Sequence, residues 1–291
     1  MPPRDPSLPE PSASNQSQIE YWNGAAGERW VQNQVLVERA FEPFGVAALG
    51  RLEARAGEAV LDVGCGAGQS TLAIARSVGP SGRVLGVDVS RPLLGRARER
   101  AKEAGLGNLS FMEADASSHV FDTRFAAAFS RFGVMFFSDP LAAFSHLRGA
   151  LASGGRMVFA CWQAFEDNPW AALPFAVALE VAPSAALPND PEAPGPFSFG
   201  SPGRVGGILN RAGYQRVQIE PFRAPVLFAT DGVERAVDFS CQIGPLAKLV
   251  GEQTDPVRLQ IREQLRAVLA PLERSHRIEL DGAVWIVRAE A

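Results

Sequence analysis

The 291-residue chain carries 46% hydrophobic and 21% charged side chains, enough apolar material to bury a full core within one elaborated domain. Its formal net charge of -4 supplies no basic field for gathering phosphates, which argues against a nucleic-acid partner. Three cysteines, Cys65, Cys161 and Cys241, lie far apart without a C-x-x-C spacing; they exclude a disulfide framework, suggest no metal site, and fit a reducing, cytoplasmic setting.

Residues 1–18 hold five prolines among Ser, Asn and Gln, a mixture that buries too little apolar surface to offset chain entropy, and this tail is expected to be disordered. The N-terminus lacks the charged-then-apolar pattern of an export leader, and no segment reaches the about 18 consecutive apolar residues of a membrane span. From 19 to 52, Trp22, Trp30, Val31, Val35, Leu36, Phe41, Phe44, Val46 and Leu49 recur at mostly helical spacings, which predicts two short helices. Residues 59–63 then read as a strand ending in glycines, and 70–76 as a helix.

The alternation continues: strand 83–87, helix 92–104, strands 109–113 and 126–129, helix 140–151, strand 156–162. Such a pattern implies a parallel sheet wrapped by helices. The stretch 163–202 is too rich in proline and glycine for regular core elements and suits a covering loop. Helix returns at 203–212, an extended run follows at 217–228, and 256–272 is again helical with Asp255 as the expected cap. The last strand is 283–287. The fold class expected is α/β, Rossmann-like and doubly wound: a mostly parallel seven-stranded sheet, an N-terminal helical cover, and a helical insertion at about 232–275 before the last strand.

The segment Asp62-Val63-Gly64-Cys65-Gly66-Ala67-Gly68 lies between the first strand and its helix. Its third glycine comes one residue too early for the G-x-G-x-x-G fingerprint of a dinucleotide. Asp62, two residues before the first glycine, stands where it would repel a pyrophosphate and attract an ammonium group or its water shell. Asp88 closes the second strand, 20 residues after Gly68, where a carboxylate accepts both hydroxyls of a ribose; that feature alone fits an adenosyl compound or a dinucleotide. A structural glycine turn without ligand is the plainest alternative, although such a turn seldom needs three alternate glycines and two downstream carboxylates.

With Asp115 after the third strand, residues 59–115 resemble the S-adenosylmethionine-binding half of class I methyltransferases. The likeness extends to the bacterial small-molecule branch through Tyr21-Trp22-Asn23-Gly24, Ser130-Arg131-Phe132-Gly133-Val134-Met135-Phe136-Phe137 and Cys161-Trp162. The resemblance implies a methyltransferase domain over 19–291, with cover elements at about 19–52, 163–202 and 232–275. It assigns to S-adenosylmethionine, and to its product S-adenosylhomocysteine, the residues Asp62, Gly64, Cys65, Gly66, Gly68, Asp88, Val89, Asp115, Ala116 and Ser130, with Trp30 from the cover. In that family Asp115 reaches the adenine amine.

Arg131 follows the fourth strand, where it either faces the acceptor or pairs with a neighbouring carboxylate. His119 and His146 are candidate general bases by residue type, against the commoner reading of surface or satisfied core histidines. Asn168-Pro169-Trp170 looks like the motif of enzymes that methylate nucleobase amines but falls after the fifth strand rather than the fourth. The acceptor is expected to be a small molecule, with a homodimer as one open assembly and no nucleic-acid or membrane partner. A nicotinamide-dependent oxidoreductase and a non-catalytic adenosyl-binding protein are the rival functions.

Overall fold

A computed structural model describes residues 15–183, 190 and 192–291. Seven strands form one sheet in the order β3-β2-β1-β4-β5-β7-β6. They are β1 (Ala59–Val63), β2 (Arg83–Asp88), β3 (Leu109–Glu113), β4 (Phe125–Arg131), β5 (Leu151–Trp162), β6 (Gln215–Ala229) and β7 (Ile278–Glu290). The first five run parallel, and β7 pairs antiparallel with both β5 and β6. This is the expected doubly wound sheet. The central strands are covered on both faces, so β1 and β4 read as continuous apolar runs, and Val60, Leu61, Ala127, Ala128 and Phe129 are fully buried.

Helices α5 (Gln69–Val78), α6 (Arg91–Glu103) and α7 (Pro140–Ala150) make the crossovers, and α9 (Pro202–Arg211) precedes β6. Their starts follow from local chemistry. Ser90, Asp139 and Ser201 each accept a backbone N–H three residues on, at 3.5, 2.9 and 3.4 Å, and a proline follows in the first turn. None of the described helices is long and apolar enough to cross a membrane.

Four expectations need correction. Disorder is expected over 1–18, but Asn15 bonds the body of the protein through its side chain and α1 starts at Gln16, so 15–18 are structured; residues 1–14 lie outside the described residues. The N-terminal cover has four helices rather than two: α1 (Gln16–Asn23), α2 (Ala25–Gln32), α3 (Gln34–Ala40) and α4 (Glu42–Leu52). Single residues in non-helical conformation at Gly24, Asn33 and Phe41 divide a continuous helical periodicity, which periodicity alone does not reveal.

The stretch after β5 contains a regular helix, α8 (Pro169–Val181), with Pro174 inside it. Pro169 suits the first turn, and burial of Trp170, Ala171, Phe175, Val177 and Ala178 outweighs the one donor that Pro174 removes. The insertion between β6 and β7 holds α10 (Val233–Gln242), α11 (Pro245–Gly251) and α12 (Asp255–Leu269). The residue flanking α12 is Thr254, so Asp255 sits in the first turn, where its charge opposes the helix dipole without capping a backbone N–H.

Candidate active site

The carboxyl ends of β1, β2, β4 and β5 and the loop after β3 meet the cover helices around one cleft, the place where an open parallel sheet presents ligands. Its floor is the glycine loop. Gly64 has φ +67°, and a Cβ there would lie 2.8 Å from Cα of Gly133, so the β1 and β4 loops approach backbone to backbone. Gly66, at φ +53°, faces open space within 4 Å: a side chain at this position would fill the cleft rather than strike protein.

Asp88 organises the next wall. Its Oδ2 accepts the N–H of Gly66 at 2.8 Å and its Oδ1 the N–H of Ser90 at 2.8 Å, which ties the glycine loop to the start of α6. A carboxylate has about four acceptor directions, so two remain for a ligand's hydroxyls. Burial raises the Asp88 pKa, against the lowering effect of these backbone bonds. Asp115 Oδ1 accepts the N–H of Ser117 at 2.9 Å and the Asn15 amide at 3.0 Å. Val89, Ala116, Leu93, Phe136 and Phe137 complete an apolar slot beside these carboxylates.

The cover is pinned to those same loops. Asn23 donates to the Val89 carbonyl at 2.7 Å and accepts the Arg91 N–H at 3.0 Å, while the Trp22 carbonyl accepts from the Ser90 hydroxyl at 2.8 Å. Asn15 also accepts the N–H of Ser138 at 2.7 Å. On α3, Glu38 pairs with both terminal nitrogens of Arg100, at 2.6 and 3.0 Å, and Arg100 donates to the Ala67 carbonyl of the glycine loop at 2.7 Å. Trp22 and Trp30 contact edge to face at 5.6 Å and both line the cleft.

The part of the cleft lining that follows Arg131 is an aromatic chamber formed by Phe41, Phe132, Met135, Trp162, Trp170 and Ile243. Phe132 holds a left-handed backbone, φ +64°, a strained conformation for a bulky residue. Its ring stacks on Trp162 with centroids 4.4 Å apart. Phe41 contacts Trp162 and Trp170 edge to face at 5.3 and 5.2 Å. Asn168 is fully buried and fixes this wall: it accepts from Trp170 Nε1 at 3.2 Å and from the Ala283 N–H of β7 at 2.8 Å. The Asn-Pro-Trp sequence is therefore a brace between α8 and the sheet.

The structure brings Gly64, Cys65, Gly66, Asp88, Val89, Asp115, Ala116, Trp30 and Arg131 to the cleft lining. Three other expected ligands stand behind it. Asp62 is 0% exposed beneath the loop, where its Oδ2 accepts from the hydroxyls of Ser70 and Thr71 at 2.7 and 2.6 Å; Oδ1 has no protein partner. Burial pushes its pKa up to about 6, against the two hydroxyl bonds. Gly68 packs against Phe111 and Ala97, and the Ser130 hydroxyl accepts the Gly133 N–H at 3.2 Å.

His119 and His146 are not at the site. His146 Nε2 lies 2.6 Å from the His119 carbonyl oxygen, and His119 packs on Phe121 in a separate groove bordered by the β2 and β3 starts. Sequence reasoning misses Asn15, Asn23, Glu38, Phe41 and Asn168 as site-forming residues. Only Asn23 and Asn168 carried a signal, lying within motifs already singled out.

Comparison with known proteins agrees with this geometry. Residues 60–155 match a family model described as a methyltransferase domain. Aklanonic acid methyltransferase DauC of Streptomyces sp. (strain C5) is 36% identical over 120 residues, covering 41% of this chain and 54% of that protein. Nocamycin O-methyltransferase of Saccharothrix syringae is 30% identical over 192 residues, covering 61% of this chain and 66% of that protein. The chain thus spans roughly half to two thirds of these relatives' lengths. Among solved structures, the YcgJ protein from Bacillus subtilis superposes with a TM-score of 0.57 at 18% identity, over 86% of this chain and 98% of that one, a likeness of fold.

Proposed function

We propose that this chain, whose residues 60–155 match a methyltransferase domain, is a class I methyltransferase that transfers a methyl group from S-adenosylmethionine to a small-molecule acceptor. The observation that carries the reading is the charge of the cleft. Among the described residues lining it, Asp88 and Asp115 form no ion pair, Glu38 is taken up by Arg100, and the single guanidinium is that of Arg131. A pyrophosphate would meet repulsion there, whereas a sulfonium with an ammonium end meets complementary charge. The open space at Gly66 and the free acceptor directions of Asp88 fit the same compound.

When bound, S-adenosylmethionine supplies an electrophilic methyl carbon, which an acceptor atom attacks in line. The residues of this chain do the rest by placement. Asp88 and Asp115 fix the adenosine, and the cover, latched through Asn15, Asn23 and Glu38, excludes water. The chamber walls hold the acceptor against the methyl, and alignment of this kind supplies roughly 7–11 kcal/mol of a two-reactant barrier. The aromatic chamber suits an apolar ring-bearing molecule, and the names of the two relatives, aklanonic acid methyltransferase and nocamycin O-methyltransferase, support a small-molecule acceptor.

Acceptor choice belongs to the cover: α1 to α4, the segment around α8, and the insertion α10 to α12, from which Ile243 and Gly244 reach the chamber. Exchanging residues 232–275 for a different insertion is expected to change acceptor preference while S-adenosylhomocysteine affinity stays within about 2-fold, a change below about 0.4 kcal/mol. Loss of cofactor affinity in that chimera would contradict the division of labour.

A further inference from the structure

Resting on the reading above, we propose that Arg131 binds the α-carboxylate at the methionine end of the cofactor. That end carries one anion and one cation, and among the described residues the cleft lining offers the anion a single cationic partner. Arg131 ends β4 beside the first turn of α5. Its Nη1 donates to Oε1 of Gln69, the first residue of that helix, and Ser70 borders the same corner.

Two features hold the guanidinium ready. Gly45 on α4 lies against the arginine stem, so closely that a Cβ there would sit 3.1 Å from Arg131 Cδ; any larger residue would displace it. Among the described residues no carboxylate forms an ion pair with Arg131, in contrast to Arg100, whose charge Glu38 takes up. Glu38 and Asp62 act on the Arg131 charge only from a distance, and burial lowers its pKa. An incoming carboxylate offsets the desolvation of that buried charge. It also lies at a helix start, where the first backbone N–H groups have no intrahelical acceptor; Leu72 is the residue that donates back to Gly68. A planar guanidinium matches a carboxylate in two parallel bonds, which a lysine does not reproduce.

The test compares two ligands that differ in the carboxylate alone, S-adenosylmethionine and decarboxylated S-adenosylmethionine, by calorimetric titration of the full chain. The unaltered protein is expected to favour the carboxylated compound by about 10- to 100-fold, the range for charge-assisted hydrogen bonds. Arg131→Gln should erase that preference by weakening S-adenosylmethionine while leaving the decarboxylated compound within about 2-fold, and Arg131→Lys should restore part of it. Equal weakening of both ligands would make Arg131 merely structural and overturn the proposal, as would an unchanged preference in Arg131→Gln. Failure of the unaltered protein to bind either compound would overturn the cofactor reading on which it rests.

Discussion

The two halves of the cleft are built by different means. Around β1, β2 and β3 the lining is polar and held by backbone bonds: Asp88 bridges Gly66 and Ser90, and Asp115 joins Ser117 to Asn15. Around β4 and β5 it is aromatic, assembled from α3, the β4 turn, β5, α8 and the insertion, with Asn168 as its polar brace. The first half recognises one ligand by fixed donors and acceptors. The second offers shape and apolar surface, which selects by fit and changes readily with its covering segments.

The contrast breaks most sharply at Asp88. Asp88→Ala is expected to cost about 2–4 kcal/mol of S-adenosylhomocysteine binding, since it removes charged hydrogen bonds to the ligand and frees the glycine loop. Titration calorimetry checks it, and an affinity within 2-fold of the original would remove Asp88 from the ligand.

Asp62 tests the support beneath the loop. Its folded pKa of about 6 lies above the ordinary 3.8, so the folded state holds this proton more tightly than the unfolded chain. The group's contribution is complete below about pH 4 and is lost as pH rises to about 6, some 3 kcal/mol for a shift of about two units. Urea midpoints followed from pH 4 to 7 should fall less steeply for Asp62→Asn than for the unaltered protein; identical slopes would mean that Asp62 titrates normally.

On the acceptor side, Trp170→Phe keeps most of the apolar wall and deletes the bond to Asn168. The acceptor KM should rise by about 3- to 10-fold, equivalent to one lost hydrogen bond, with S-adenosylhomocysteine affinity unchanged. A parallel loss of cofactor affinity would erase the distinction between the halves. The smallest effect is expected from Asn15→Ala, about 0.5 kcal/mol, because Asp115 and the Ser138 N–H are near enough to the surface to rebond water. Faster cofactor release in stopped-flow displacement is its signature.

The same contrast explains how much the sequence disclosed. The strand and helix order of the sheet was legible because buried parallel strands are short apolar runs and the crossovers carry caps. Gly64, Gly66, Asp88 and Asp115 were legible because close backbone approach demands glycine and strand ends place carboxylates at set intervals. Asp62 and Gly68 share that motif but serve the loop from behind, a distinction that spacing does not contain. Phe41 looked like an ordinary core residue, since an aromatic at helical spacing reads alike whether it faces a core or a chamber, and Trp162 and Trp170 stood in motifs whose spacing does not disclose a chamber wall. His119 and His146 drew attention through chemistry alone, while packing placed them elsewhere. Asn15, in a proline-rich tail, carried no local sign of a partner 100 residues away.

The most direct test of the central claim is calorimetric titration of the purified protein with S-adenosylmethionine, S-adenosylhomocysteine and NAD. The charge of the cleft predicts micromolar binding of both adenosyl sulfur compounds, about -8 kcal/mol, and no detectable binding of NAD. Preference for NAD would contradict it, because a pyrophosphate would then be sitting beside the unpaired carboxylates Asp88 and Asp115.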